Sequence, residues 1–231
     1  MDIPPAAKER LLHILRILET SNGGAFTSPE LEALTGWPSH TIRKDISYLA
    51  AGLAPDEPGG FGTSAGYGPE KLAPAIRQGL GLDRRRGFCV VGLGRLGSAF
   101  LNTDWNAGAS GFEGGEFELA AGFDINVNRV EILKSPAPLY PSYKMAEVIR
   151  RFGIEIALLC VPETSAQSAA EKLAAAGIQG IVNFAPAALA LPPAVTVQNV
   201  YVVDQLRALA VKMPPAGVPQ TNGDLSGLSQ S

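Results

Sequence analysis

Apolar positions follow two different rhythms along the 231-residue chain. Through residue 82 they recur at helical spacing. From residue 87 onward, short continuous apolar runs alternate with helical stretches. In the first part, Leu11, Leu12, Ile14, Leu15 and Leu18 predict the buried face of a helix over residues 7–20, stopped by Asn22, Gly23 and Gly24. Ser28 is placed to cap a second helix, with Pro29 at its first position, Leu31 and Leu34 inside and Gly36 after it. Ser39 is placed to cap a third, which runs to about Ala51. Two helices joined by so short a turn have the spacing of a helix-turn-helix.

The third helix divides into two faces. At about 100° per residue, Ile42, Ile46 and Leu49 share one side. His40, Arg43, Lys44 and Ser47 share the other, with Tyr48 at its margin. Such a helix is either an ordinary amphipathic surface helix or a recognition helix, whose cations and hydroxyls meet phosphates and base edges. The segment that follows favours the second reading. Gly59, Gly60, Gly62, Gly66 and Gly68 surround Phe61 and Tyr67, the composition of a flexible hairpin placed like the wing of a winged helix.

The second part opens with an apolar strand at residues 88–91 and runs directly into Gly92-Leu93-Gly94-Arg95-Leu96-Gly97, with a helix expected over 98–102. Strand, GxGxxG and helix are the setting of a dinucleotide turn. The first glycine permits the tight bend, the second admits a pyrophosphate, and the third lets helix pack on strand. A second strand, 117–123, ends at Asp124, which can accept hydrogen bonds from an adenosine ribose and would repel a 2′-phosphate. Asp124 equally suits a strand-end turn cap. It falls late because residues 103–116 form a Gly-rich insertion.

Further strands are expected at 156–161, 180–184 and 195–200, with helices at 143–152, from Thr164 or Ser165 to Ala176, and at 203–213. Alternation of this kind predicts a doubly wound parallel sheet of Rossmann type, an α/β fold. Its ligands bind beyond the strand carboxyl ends. That rule gathers the glycine turn, Asp124, Val161, Pro162, Asn183, Phe184, Ala185 and Pro186 around one crevice.

Composition limits the rest. With 46% hydrophobic and 18% charged residues, the chain is globular. Its net charge of −3 divides into zero over residues 1–86 and −3 over 87–231. Any attraction to DNA is therefore local, at Arg43 and Lys44. Residues 173–203 carry no charge, but Gly177, Gly180, Asn183, Pro186, Pro192 and Pro193 interrupt them. They are read as buried strand, loop and strand, because lipid would leave such breaks unsatisfied. No secretory signal is visible, and a cytoplasmic protein without a membrane partner is expected. Arg84, Arg85 and Arg86 read as a short basic linker, and residues 214–231 as a disordered tail. Cys89 and Cys160 read as core fillers more readily than as a thiol switch. Both histidines, His13 and His40, lie in the helical part. Tyr140 and Tyr143 are possible acids without an identifiable partner, so catalytic chemistry is poorly supplied and an enzyme is not expected.

These motifs, in this order, resemble the Rex family of redox-sensing transcriptional repressors. The likeness is carried by Ser39-His40-Thr41-Ile42-Arg43-Lys44-Asp45-Ile46-Ser47-Tyr48, by Gly66-Tyr67-Gly68, by the glycine turn with Phe123-Asp124, by Val161-Pro162 with Ala166-Gln167, and by Ala176-Gly177-Ile178 with Asn183 to Pro186. The resemblance implies a winged-helix DNA-binding domain over 1–82, an NAD(H)-binding Rossmann domain over 87–200, and a helix over 201–213 swapped onto the partner of a homodimer. It implies operator contacts from Ser39, His40, Thr41, Arg43, Lys44, Ser47, Tyr48, Gly66 and Tyr67. The expected partner is double-stranded operator DNA with an inverted repeat, bound when NADH is scarce relative to NAD⁺ and released when NADH rises. Where the family usually carries an Asp-containing pair after its last strand, this chain has Tyr201-Val202. Two other readings fit parts of the pattern. One is an NAD-dependent reductase with a helical N-terminal appendage. The other is a CoA- or nucleotide-binding interaction module without DNA.

Overall fold

A computed structural model describes residues 3–21, 24–50, 62–63, 66–105 and 115–213. The first helix, α1 (Pro5–Thr20), buries Ala7, Leu11, Ile14, Leu15 and Leu18. Helix α2 (Ser28–Thr35) is capped by Thr27 and not by the expected Ser28. The Thr27 hydroxyl accepts from the Glu30 N–H, and the Glu30 carboxylate accepts from the Thr27 N–H at 2.7 Å, forming a capping box. Gly36 ends α2 in the left-handed conformation, φ 75°. Helix α3 (Ser39–Ala50) follows, with Ser39 inside its first turn. The expected end at Ala51 lies outside the described residues.

The hairpin is present as β1 (Gly62–Thr63) and β2 (Gly66–Tyr67), paired antiparallel. Gly59, Gly60 and Phe61 lie outside the described residues. Tyr67 also bridges Phe26, with hydrogen bonds of 3.0 and 2.8 Å between the two backbones. The wing is thereby stitched to the segment entering α2. Gly66 makes the approach possible: its φ is 104°, and an added Cβ would stand 2.6 Å from the Phe26 carbonyl oxygen. A fourth helix, α4 (Pro69–Leu80), goes unread in the sequence. It buries Leu72, Ala73 and Ile76 against α1 and α3.

One ion pair locks this helical unit. Asp45 faces inward from α3, 2% exposed, and accepts from Arg10 Nε at 2.6 Å and Nη2 at 2.9 Å. The same carboxylate holds the Arg10 guanidinium above its usual pKa.

The second unit is a six-stranded parallel sheet in the order β5-β4-β3-β6-β7-β8. Its strands are β3 (Arg86–Val91), β4 (Phe117–Asp124), β5 (Leu139–Pro141), β6 (Ile156–Leu159), β7 (Gly180–Asn183) and β8 (Thr196–Asn199). Helix α5 (Arg95–Leu101) begins within the glycine motif, three residues before the expected start. Helix α6 (Val127–Ile132) and strand β5 are additions to the expected pattern. A short 3-10 turn (Ser142–Lys144) leads into α7 (Met145–Phe152), and α8 (Glu163–Ala176) and α9 (Val202–Lys212) complete the elements among the described residues. The uncharged stretch is the end of α8, β7, loop and β8. Among the described residues no helix is long and apolar enough to cross a membrane. The expected tail, 214–231, lies outside them, as does most of the Gly-rich insertion.

Cys89 is fully buried with Val91 and Phe123 on one face of the sheet, and Cys160 packs with Phe88 and Val90 on the other. A bond between the two thiols is therefore closed off. Burial pushes both up in pKa, Cys160 to about 12.

The basic linker is an ion-paired seam. Arg84 grips the Glu155 carboxylate at 2.5 and 2.6 Å, and Arg86 reaches it at 3.2 Å. Arg85 stands 3.5 Å from Glu118. On the other side, buried Arg77 of α4 pairs with Glu19 at the end of α1 and, at 3.1 Å, with Glu116 before β4. Burial pushes the Glu19 carboxyl up, and Arg77 opposes the shift.

Removing Arg10 strands a buried carboxylate, so Arg10→Ala is expected to cost about 3 kcal/mol in urea unfolding. Hydrogen bonds from Arg84 hold the Glu155 carboxyl below the usual carboxylate range. Its contribution is present above the unfolded pKa and is lost as pH falls through the depressed folded value. Glu155→Gln should flatten that part of the acid-stability curve; an unchanged curve contradicts the seam.

Candidate functional site

The carboxyl ends of the parallel strands converge beside the glycine motif, and the three glycines there have three separate reasons. Gly92 has φ 90°, and a Cβ would stand 2.6 Å from the Cys160 carbonyl oxygen and 2.8 Å from Val161 Cγ1. It can only be glycine while the turn lies against the end of β6. At Gly97 a Cβ would collide with the Gly92 carbonyl oxygen, so the helix lies directly on the turn. At Gly94 a Cβ would meet nothing within 4 Å. Packing does not require that glycine; an incoming group can use the space. No side chain caps α5, whose first turn opens on this space. An uncapped helix start with an open glycine suits a pyrophosphate.

Asp124 is beside this turn, as expected, but its carboxylate is already engaged. It is 4% exposed, and accepts from the Leu93 N–H and the Asn126 N–H at 2.7 Å each. It therefore caps its own turn and pins the glycine loop at once. Arg129 of α6, 3.4 Å from the same carboxylate, was not anticipated. A lone Arg five residues after an Asp carries no distinguishing signal in sequence.

The remaining candidates sort by side chain. Leu93 is buried in the core beneath the turn, so only its backbone faces the crevice. Arg95 and Leu96 are exposed on the first turn of α5, and Pro162 and Pro186 are exposed at the ends of their loops. Val161 is half-buried against the glycine turn. Phe184 packs on Phe100 with ring centres 5.0 Å apart, joining the end of β7 to α5. Ala185 is buried. Asn183 is fully buried and its amide is satisfied within the protein, by Ala187, Asn199, Tyr201 and Ala185. It shapes the loop and does not present its side chain to the crevice.

On α3 the same sorting applies. His40, Arg43, Lys44 and Ser47 form an exposed face, with Thr41 half-buried at its edge. Ser47 donates to the Lys44 carbonyl at 2.6 Å. Ser39 is committed to Glu32 of α2, whose carboxylate accepts from its N–H at 3.0 Å and its hydroxyl at 2.5 Å. These bonds hold the Glu32 carboxyl below its usual pKa. Tyr48 and Tyr67 are half-buried against the helical core, and the Tyr67 hydroxyl stands 3.4 Å from that of Ser28. Gly66 is buried beneath the wing. These three build the unit and give the exposed face its place.

A helix-turn-helix with a wing, followed by a parallel sheet in 3-2-1-4-5-6 order with a glycine turn at its switch point, defines a protein that joins a winged-helix unit to a dinucleotide-type fold. A family model described as "CoA binding domain" matches residues 83–187. The redox-sensing transcriptional repressor Rex of Thermus thermophilus is 41% identical over 205 residues, covering 87% of this chain and 89% of that protein. Two crystal structures of RSP, a Rex-family repressor, cover 91% of this chain at 29% identity. The complex with NAD⁺ and operator DNA has a TM-score of 0.75 and is covered over 92% of its length; the NADH complex has 0.73 and 93%. The chain belongs to the Rex family.

The three glycines make a sharp stability test. Gly92→Ala and Gly97→Ala are expected to lose at least about 2 kcal/mol in thermal unfolding, from left-handed strain at the first and overlap at both. Gly94→Ala should leave the midpoint unchanged. Equal losses at all three would contradict this division.

Proposed function

We propose that this chain is a transcriptional repressor that reads the NADH/NAD⁺ balance. It binds an inverted-repeat operator as a homodimer when NADH is low and releases it when NADH binds. The observation that carries the reading is the pairing, in one chain, of the exposed His40, Arg43, Lys44 and Ser47 face with the open glycine turn at Gly94. Family membership and the RSP complexes with NAD⁺, operator DNA and NADH support it. The DNA-binding unit is residues 1–82, the nucleotide-binding unit 87–200, and the dimer helix 201–213.

The residues present fit the nucleotide. The backbone of Gly92, Leu93, Gly94, Arg95, Leu96 and Gly97 would hold its pyrophosphate. Asp124 and the neighbouring Arg129 would stand near its adenosine ribose. Val161, Pro162, Phe184, Ala185 and Pro186 would border its nicotinamide end. NAD⁺ and NADH share adenosine and pyrophosphate, so those contacts cannot separate them. They differ in the nicotinamide, cationic in one and neutral in the other. The apolar border at Phe184 and Pro186 disfavours the cation by desolvation. Only such differential affinity shifts a population of dimer geometries.

Helix α9 supports the dimer. No residue of it is buried, and Val202, Val203, Leu206, Leu209, Val211 and Met213 are all more than half exposed. An apolar helix left outside its own core is suited to a second copy of the chain. On DNA, two recognition helices one or more helical turns apart would meet the two half-sites. His40, Arg43, Lys44 and Ser47 would make the contacts, with Ser39, Thr41, Tyr48, Gly66 and Tyr67 holding them in place.

The reductase reading lacks a histidine in the sheet unit, since His13 and His40 both lie in the helical part. The CoA-module reading accounts for residues 83–187 and leaves the helix-turn-helix without a purpose.

The test is a gel shift on an inverted-repeat duplex selected from random DNA, with NAD⁺ and NADH compared. NADH is expected to release the duplex and NAD⁺ to leave it bound; identical behaviour contradicts the proposal. Arg43→Ala and Lys44→Ala should each weaken binding on all sequences. A side chain that contacts a phosphate should also reduce the salt slope by about 1.

A further inference from the structure

Helix α9 starts at a residue that belongs to two structures. The Tyr201 carbonyl accepts from the N–H groups of Asp204 and Gln205, both at 3.1 Å, so its backbone is the root of the helix. Its hydroxyl reaches back into the loop after β7 and donates to the Ala187 carbonyl at 2.7 Å. Asn183, at the end of β7, gives its amide hydrogens to the same cluster, to the Ala187 carbonyl at 2.9 Å and Asn199 Oδ1 at 3.0 Å. Its Nδ2 also stands 3.3 Å from the Tyr201 hydroxyl. Asn183 Oδ1 accepts from the Ala185 N–H at 3.0 Å, and the Asn183 carbonyl accepts from the Val200 N–H at 2.9 Å. One hydroxyl thus ties the ends of two strands and the 184–187 loop to the first turn of α9.

We propose that Tyr201 is the positioning residue through which the loop after β7 sets the direction of α9. The inference rests on the functional reading above, in which that loop borders the nicotinamide end and α9 seats on a second copy. No residue of helix α9 is buried, so its direction depends chiefly on its root. The root is held by a hydrogen-bonded cluster built on the fully buried Asn183 amide, with the Tyr201 hydroxyl half-buried and Asn199 exposed at its edge. Such a cluster favours one arrangement, because the buried Asn183 amide, left unpaired, would cost its desolvation energy. A displacement of the loop therefore moves the Ala187 carbonyl, and the Tyr201 hydroxyl and the helix root move with it. Tyr201 touches no nucleotide in this role.

The experiment measures operator affinity by fluorescence anisotropy, with and without saturating NADH, for the wild type, Tyr201→Phe and Asn199→Ala. Tyr143→Phe serves as a control, since Tyr143 is 77% exposed. In the wild type and the control, NADH should raise the operator Kd at least about 5-fold. In Tyr201→Phe the change should fall below about 2-fold, while operator affinity without nucleotide and NADH affinity without DNA stay within about 2-fold of wild type. Asn199→Ala, which alters the same cluster without altering Tyr201, should lose response in the same direction. A full wild-type response in Tyr201→Phe overturns the proposal. So does a loss of nucleotide-free operator binding, which marks a merely structural residue. A wild type indifferent to NADH refutes the functional reading itself, and this inference with it.

Discussion

The nucleotide crevice depends on how closely one turn of backbone lies against its neighbours. Gly97 brings the first turn of α5 onto the Gly92 carbonyl, and Gly92 lays the turn against the end of β6. No side chain fits at either contact. Asp124 then ties the turn to β4 through the Leu93 N–H. Three strands are joined at one point, and the remaining glycine, Gly94, is left with open space. The site is a consequence of that packing. A helix set further from its strand would have its N-terminus elsewhere and would leave no cradle.

Much of this was legible in the sequence because the constraint is local. A strand, GxGxxG and a helix occupy consecutive residues, and each glycine has its own reason to be there. Gly36 and the two faces of α3 were legible for the same cause. What the sequence concealed was partnership over distance. Nothing beside Arg84 announces Glu155, and so a clamp between units read as a basic linker. Asp45 stands within a run of candidate DNA contacts, but its partner, Arg10, is a helix away. Strand β5 has three residues and ends on a proline, below the length at which periodicity speaks. Helix α4 contains Pro74, and its apolar positions follow directly on the glycine-rich wing. Tyr67 and Gly66 read as a flexible wing hairpin with operator contacts, and nothing in their sequence announces the bridge to Phe26 that ties them down.

The two units are not merely strung together. Arg77 holds α1 and α4 to the start of β4, and Arg84 and Arg86 hold the approach to β3 onto Glu155. The exposed face of α3 is itself placed by Arg10–Asp45 from behind and by Glu32–Ser39 at its start. Charges that would otherwise add to a weak DNA attraction are occupied in building. A chain with no net positive charge in residues 1–86 thus still exposes Arg43 and Lys44 on the face of α3 proposed to meet DNA. In the proposed dimer, affinity would rest on two such faces presented together, and a modest change in their spacing would be enough to lose it.

The central claim is that nucleotide and operator compete through dimer geometry. Linkage makes it measurable from either side, because each ligand must weaken the other by the same factor. Calorimetric titration of NADH into the free protein and into its operator complex tests it most directly. NADH is expected to bind the complex more weakly, by the factor with which NADH weakens operator binding. Equal NADH affinities in the two titrations would contradict it.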